Sequence, residues 1–180
     1  MDLSTSSPLK RFFAWAVFYP TLWWSMLLAR CLSVRNWWDR IDEHVVLGAR
    51  PFARDVKRMS EVEGIKAVVN TCEEYEGPKS EYEKYGIDQL WMPTTDFTHP
   101  AYEDVCRAVE YVQENVSSGK TVYIHCKAGR ARSATVALCW LMKYRNMSGD
   151  DAQSLLLEKR SHVNPRLTSR PVVQRFASEL

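Results

Sequence analysis

The stretch Thr121-Val122-Tyr123-Ile124-His125-Cys126-Lys127-Ala128-Gly129-Arg130-Ala131-Arg132-Ser133 decides the fold. Its first part, TVYIH, is β-branched and aromatic, follows Gly119, and reads as a core strand. From Arg132 to Tyr144, Ala134, Leu138, Leu141 and Met142 recur at the spacing of a buried helix face. Between the two lies a short loop holding a cysteine, a glycine and two cations. A strand, a tight loop and a helix in that order are a unit of an α/β sheet, whose ligands bind beyond the carboxyl ends of the strands.

Outward from this unit the alternation continues. Ile65 to Asn70 (IKAVVN) predicts a buried strand. Ile87 to Met92 predicts another, ended by Pro93, and Val45 to Leu47 a shorter one. Arg50 to Met59 reads as helical. Ala101 to Ser117 carries Val105, Ala108, Val109, Val112 and Val116 at helical spacing and stops at Gly119. Further helices are expected over 148–160 and 169–179. The fold class is α/β, with a central, mainly parallel sheet flanked by helices.

The loop chemistry follows from residue types. A helix N-terminus and exposed loop N–H groups make an anion site. Gly129 permits a conformation or a closeness that a Cβ would hinder. Arg132 offers a planar fork for two phosphoryl oxygens. Cys126 opens the loop, where cations and the helix end lower a thiol's pKa and yield a nucleophilic thiolate. The Ser133 hydroxyl is placed to donate to that thiolate. The competing readings are an inert buried cysteine for Cys126 and a surface salt bridge for Arg132. The C-x5-R spacing in a strand–loop–helix context favours the catalytic pair.

Composition narrows the classes. At 180 residues and 46% hydrophobic the chain can build one cored domain. A net charge of +2 does not suggest a nucleic-acid partner. Five cysteines without a CxxC pair, and four dispersed histidines without HExxH spacing, indicate neither a disulfide scaffold nor a metal site. No metal or other cofactor is expected, and reduced thiols are.

The N-terminus is the outlier. Lys10, Arg11, Arg30 and Arg35 against Asp2 give residues 1–36 a charge of +3, leaving −1 for the remainder. Residues 12–29 are almost wholly apolar or aromatic. As a helix they would span ~27 Å, just short of a hydrocarbon core, and Pro20 would interrupt it. With Trp15, Trp23 and Trp24 present, a membrane-surface segment is expected, against the alternative of a helix packed on the domain. No A-x-A cleavage site follows the apolar run. The chain divides into a targeting or membrane-associated segment, 1–36, and a catalytic domain, 37–180.

His125-Cys126-x5-Arg132-Ser133 resembles the signature of the protein tyrosine phosphatase superfamily, in its small dual-specificity branch. HCKAGRARSAT, Asn70-Thr71-Cys72-Glu73-Glu74-Tyr75-Glu76, Phe18-Tyr19-Pro20-Thr21-Leu22, Trp38-Asp39-Arg40-Ile41-Asp42, Leu47-Gly48-Ala49 and Arg160-Ser161-His162 resemble the mitochondrial phosphatidylglycerophosphate phosphatase family. The resemblance implies a general acid on a closing loop. Asp96 matches it, and Asp96 also follows a predicted strand that should share the sheet edge with Cys126. Asp88 and Asp104 are weaker candidates.

The resemblance further implies that Lys127, Ala128, Gly129, Arg130, Ala131 and Ser133 bind the substrate phosphate. Lys127 and Arg130 would suit a lipid with more than one negative charge, or be solvated charges. Glu73, Glu74 and Glu76 are either a solvated acidic turn or a loop shaping the site. An Arg-Pro pair falls at 170–171, later than in the family pattern. Cys72 is left open as a redox partner of Cys126. The expected function is hydrolysis of phosphatidylglycerophosphate, an anionic phospholipid, via phosphocysteine at the mitochondrial inner membrane, in phosphatidylglycerol and cardiolipin synthesis. The alternatives are a dual-specificity protein phosphatase acting on phosphotyrosine and phosphoserine/threonine, and a catalytically silent phosphate-binding module.

Overall fold

The computed structural model describes Pro20 and residues 35–180. The expected membrane segment, residues 12–29, lies outside the described residues apart from Pro20. In chain order the elements are β1 (Trp38–Arg40), β2 (Val45–Gly48), α1 (Ala53–Glu61), β3 (Ile65–Cys72), α2 (Lys79–Lys84), β4 (Asp88–Thr94), α3 (Tyr102–Ser117), β5 (Thr121–His125), α4 (Arg132–Tyr144), α5 (Gly149–Lys159) and α6 (Pro171–Ser178). Among the described residues no helix is long and apolar enough to cross a membrane.

The strands form one five-stranded sheet in the order β1-β2-β5-β3-β4. The β2–β5, β5–β3 and β3–β4 pairs are parallel, and β1 is antiparallel to β2. Side chains alternate across the sheet, as the period of two requires, except at the irregularity between Ile65 and Ala67. Val45, Leu47, Ala67, Val69, Val122 and Ile124 face a core shared with α3, α4, α5 and α6. Val46, Ile65, Val68 and Tyr123 face a smaller core with Val56 and Met59 of α1 and Tyr82 of α2. Both faces of β5 are thus covered, so its run TVYIH is buried at every position.

Two features depart from the sequence reading. Pro93 does not end its strand: β4 continues through it to Thr94. β4 is an edge strand, so the missing N–H of Pro93 leaves no ladder bond broken. The strand β1 and the one-and-a-half-turn helix α2 were also not anticipated; both are too short to show a periodicity. The topology has a direct consequence for function. Parallel β3, β4 and β5 all end on the same edge, and they deliver the Glu73-Glu74 loop, the Asp96 loop and Cys126 to one place.

Candidate active site

Cys126 sits where β5 ends in the middle of the sheet, and is 4% exposed. The four carbonyls that follow are tied outward. The Lys127 carbonyl accepts from the Arg50 N–H (3.2 Å) and the Arg130 carbonyl from the Asn164 N–H (2.8 Å). The Ala128 and Gly129 carbonyls accept from Arg160 Nη2 and Nε, each at 3.0 Å. Peptide planes are rigid, so carbonyls turned out leave N–H groups turned in, toward the thiol. Arg160 is 2% exposed, and its Nη1 also pairs with Asp39 (2.5 Å), which fixes the loop to β1. Gly129 has φ +67°, and a Cβ there would meet the Gly48 backbone at 2.5 Å. Only glycine satisfies both the dihedral and the packing.

The thiol is tuned by this surrounding. Burial pushes Cys126 up. The Arg132 guanidinium, the Ser133 hydroxyl and the Ser133 and Arg130 backbone N–H groups outweigh burial and bring it down to about 7. Ser133 Oγ donates to Cys126 Sγ at 3.3 Å. We expect alkylation of Cys126 by iodoacetamide to accelerate as pH rises through about 7, since the thiolate is the reactive form. Ser133→Ala removes a thiolate donor and moves that inflection upward, toward an ordinary thiol near ~8.5. An unmoved inflection would remove Ser133 from the scheme. Cys72, by contrast, is pushed well up by burial, with Arg132 opposing, and is a free thiol. His125 is wholly buried and stacked on Tyr123, at 5.6 Å between centroids. Burial lowers its pKa to about 3, so it stays neutral.

Arg132 is 2% exposed at the first turn of α4. Nη1 and Nη2 donate to the two oxygens of Glu74 at 2.9 and 2.7 Å, a fork-to-fork pair. Nη1 also donates to the Thr94 carbonyl (2.7 Å), and Nη2 lies 3.0 Å from Asp96 Oδ1. Glu73 accepts from Thr95 Oγ1 at 2.7 Å. Glu74 therefore holds the arginine and Glu73 holds the Asp96 loop, while Glu76 pairs with Lys79 at the surface. Of the three glutamates the sequence left open, two turn inward. Glu74 and Arg160 are site residues that sequence reasoning did not assign; their only signal was membership of the EEYE and Arg-Ser-His stretches.

Asp96 also pairs with Lys127 Nζ, so Lys127 and Arg132 both reach it. Phe97 follows with φ +64° and a 69% exposed ring. Cys126, Lys127, Ala128, Arg130, Ala131, Arg132 and Asp96 line one cavity of about 560 Å³, together with Arg35 and Arg170. Gly129 and Ser133 are not among its lining residues. Asp88 and Asp104 lie elsewhere and pair with Lys120 (3.6 Å) and Arg107 (2.8 Å). Among the described residues no three His, Cys, Asp or Glu side chains group as metal ligands. The constellation brings a thiol, an anion cradle and a carboxyl group to one cavity.

Comparison with known proteins agrees with this geometry. The model of the dual specificity phosphatase catalytic domain matches residues 45–172. The chain is 41% identical over 164 residues to the Arabidopsis thaliana phosphatidylglycerophosphate phosphatase PTPMT1, covering 89% of this chain and 48% of that one. It thus spans about half the length of that relative. It is 32% identical over 186 residues to the Mus musculus phosphatidylglycerophosphatase and protein-tyrosine phosphatase 1, covering 99% and 96%. The crystal structure of PTPMT1 in complex with PI(5)P superposes with a TM-score of 0.73 at 32% identity, over 80% of this chain and 96% of that one. A strand, loop and helix assembled around Cys126 and Arg132, inside a domain match that spans most of the chain, make it a member of the dual-specificity family of cysteine-dependent phosphatases.

Proposed function

We propose that the chain is a metal-independent phosphatase that hydrolyses the phosphate monoester of phosphatidylglycerophosphate. The observation that carries the chemistry is a thiol brought to about 7 at the base of a cavity rich in cations. The substrate is supported by the names and extent of the Arabidopsis and mouse relatives. Cys126 Sγ attacks phosphorus as the phosphorus–glycerol oxygen bond breaks. Arg132 and the inward N–H groups of residues 128–131 hold the equatorial oxygens. Asp96 gives its proton to the leaving glycerol oxygen. Water then attacks the phosphocysteine, its proton passes to Asp96, and phosphate leaves with the thiolate restored.

We divide the chain into this catalytic domain, 37–180, and an N-terminal segment, 1–36, that brings it to a membrane surface through residues 12–29. We assign it to the mitochondrion, at the inner membrane, from its resemblance to that subfamily. A second activity, toward phosphotyrosine and phosphoserine/threonine, is favoured by the protein-tyrosine phosphatase part of the mouse relative's name.

The test is phosphate release from phosphatidylglycerophosphate vesicles beside a phosphotyrosine peptide, both with EDTA. Fast lipid turnover with a weak peptide rate is expected. Fast peptide turnover with negligible lipid turnover transfers the protein to the second activity, and loss in EDTA overturns the metal-free scheme. Asp96→Asn should lower kcat on the lipid by about 10²–10⁴-fold, the range for a lost general acid. On p-nitrophenyl phosphate the loss should be much smaller, because p-nitrophenolate leaves without a proton. Equal losses on both substrates would give Asp96 a structural role instead.

A further inference from the structure

The cavity holds more positive charge than one phosphoryl group needs. Two of its cations are already answered: Arg132 by Glu74 and Asp96, and Lys127 by Asp96. Three are not. Arg35, Arg130 and Arg170 line the same cavity, and among the described residues none pairs with a carboxylate. Arg130 Nε donates to the His162 carbonyl (2.8 Å), and Arg170 Nη1 to Thr135 Oγ1 (3.0 Å), both neutral acceptors. These bonds anchor the two side chains without cancelling their charge.

The three border the cavity that also holds the thiol. Burial, then Arg130 and Arg160, lower the pKa of Arg35, so these charges face one another across partly desolvated space. Arg170 is half-buried, and its field is felt at Cys126. A volume of about 560 Å³ accepts a whole polar headgroup, whereas a lone phosphoryl group would fill a small part of it. Like charges converging on a cavity of that size raise the free energy of the empty site and lower that of an anion-filled one.

We propose that Arg35, Arg130 and Arg170 form a second anion subsite, which takes the phosphodiester of a substrate whose terminal phosphate monoester sits on Cys126. It rests on the lipid phosphatase function above and adds what in the substrate is recognised beyond the reacting group. The subsite selects two phosphates joined by a short polyol over a monoester alone. Arg170 stands at the N-cap of α6 and Arg35 just ahead of β1, so the reader of the second phosphate joins the segment before the first strand to the start of the last helix.

The test is direct binding to full-length Cys126→Ser protein by calorimetry. One probe is the deacylated headgroup, two glycerols joined by a phosphodiester and ending in a monoester. The other is glycerol 3-phosphate. The headgroup should bind about tenfold or more tighter. In the Arg35→Gln/Arg170→Gln background that preference should collapse to within about twofold, while glycerol 3-phosphate still binds. Equal affinities in the Cys126→Ser parent would overturn the subsite, as would parallel loss of both ligands in the combined variant. If the combined variant loses affinity only for phosphatidylglycerol-containing vesicles and keeps its headgroup preference, the arginines contact the membrane and the subsite is refuted. A wild-type enzyme that binds the headgroup tightly but releases no phosphate from the lipid would overturn the proposed activity and leave the subsite standing.

Discussion

Cys126→Ser should abolish phosphate release, with kcat falling by about 10⁴-fold or more, as when the nucleophile of a covalent mechanism is removed. The substitution is nearly isosteric at a 4% exposed position that belongs to none of the packed apolar clusters, so the folded state should persist. What changes is ionisation. The surroundings that bring a thiol to about 7 cannot bring an alkanol, many units more basic, into the physiological range. The variant therefore keeps the anion cradle and loses the nucleophile. It should bind phosphate monoesters and show no covalent phosphoenzyme on rapid quench, where the wild type shows one. A variant with more than about one hundredth of wild-type kcat would mean that water attacks phosphorus directly. The catalytically silent reading of this fold would predict no difference at all, since it assigns no turnover to either protein.

Much of this was legible in the sequence because the deciding segment obeys two periodicities at once. TVYIH is buried on both faces, so it reads as a continuous apolar run, and α4 follows at 3.6-residue spacing. The parallel core strands and the five longer helices were placed to within a few residues for the same reason. Pro93 misled because proline stops a central strand and not an edge strand, and strand order is not written locally. The site divides in the same way. Cys126, Arg132 and Ser133 are close in sequence, and local spacing exposed them. Glu74 reaches Arg132 across 58 positions, and Arg160 reaches Gly129 across 31. Those contacts exist only once β3, β5 and the turn after α5 are assembled, and an isolated glutamate beside a phosphate site looks repulsive until its cation is seen. Arg170 is a comparable case: the Arg-Pro pair was visible, while its place on the cavity wall depends on how α6 packs against α4.

That distant pairing sets the outcome of Arg132→Lys, which keeps the charge and changes the shape. Kcat should fall by about 10³-fold, near the upper end for a lost oxyanion donor. One ammonium cannot reproduce the planar fork that meets both Glu74 oxygens, the Thr94 carbonyl and Asp96. Two consequences follow from the geometry. Glu74, mostly buried, loses a two-point partner, so the loop after β3 should loosen and Tm should fall. The lysine ammonium is no longer held where the guanidinium was, so its pull on Cys126 weakens, burial regains weight and the thiolate inflection moves above about 7. Alkylation at neutral pH should slow accordingly, which separates this variant from one that merely binds substrate less well. If charge alone mattered, lysine would restore most of the activity lost in Arg132→Ala. Activity of Arg132→Lys within tenfold of wild type would show that the fork, and the Glu74 contact that orients it, is dispensable.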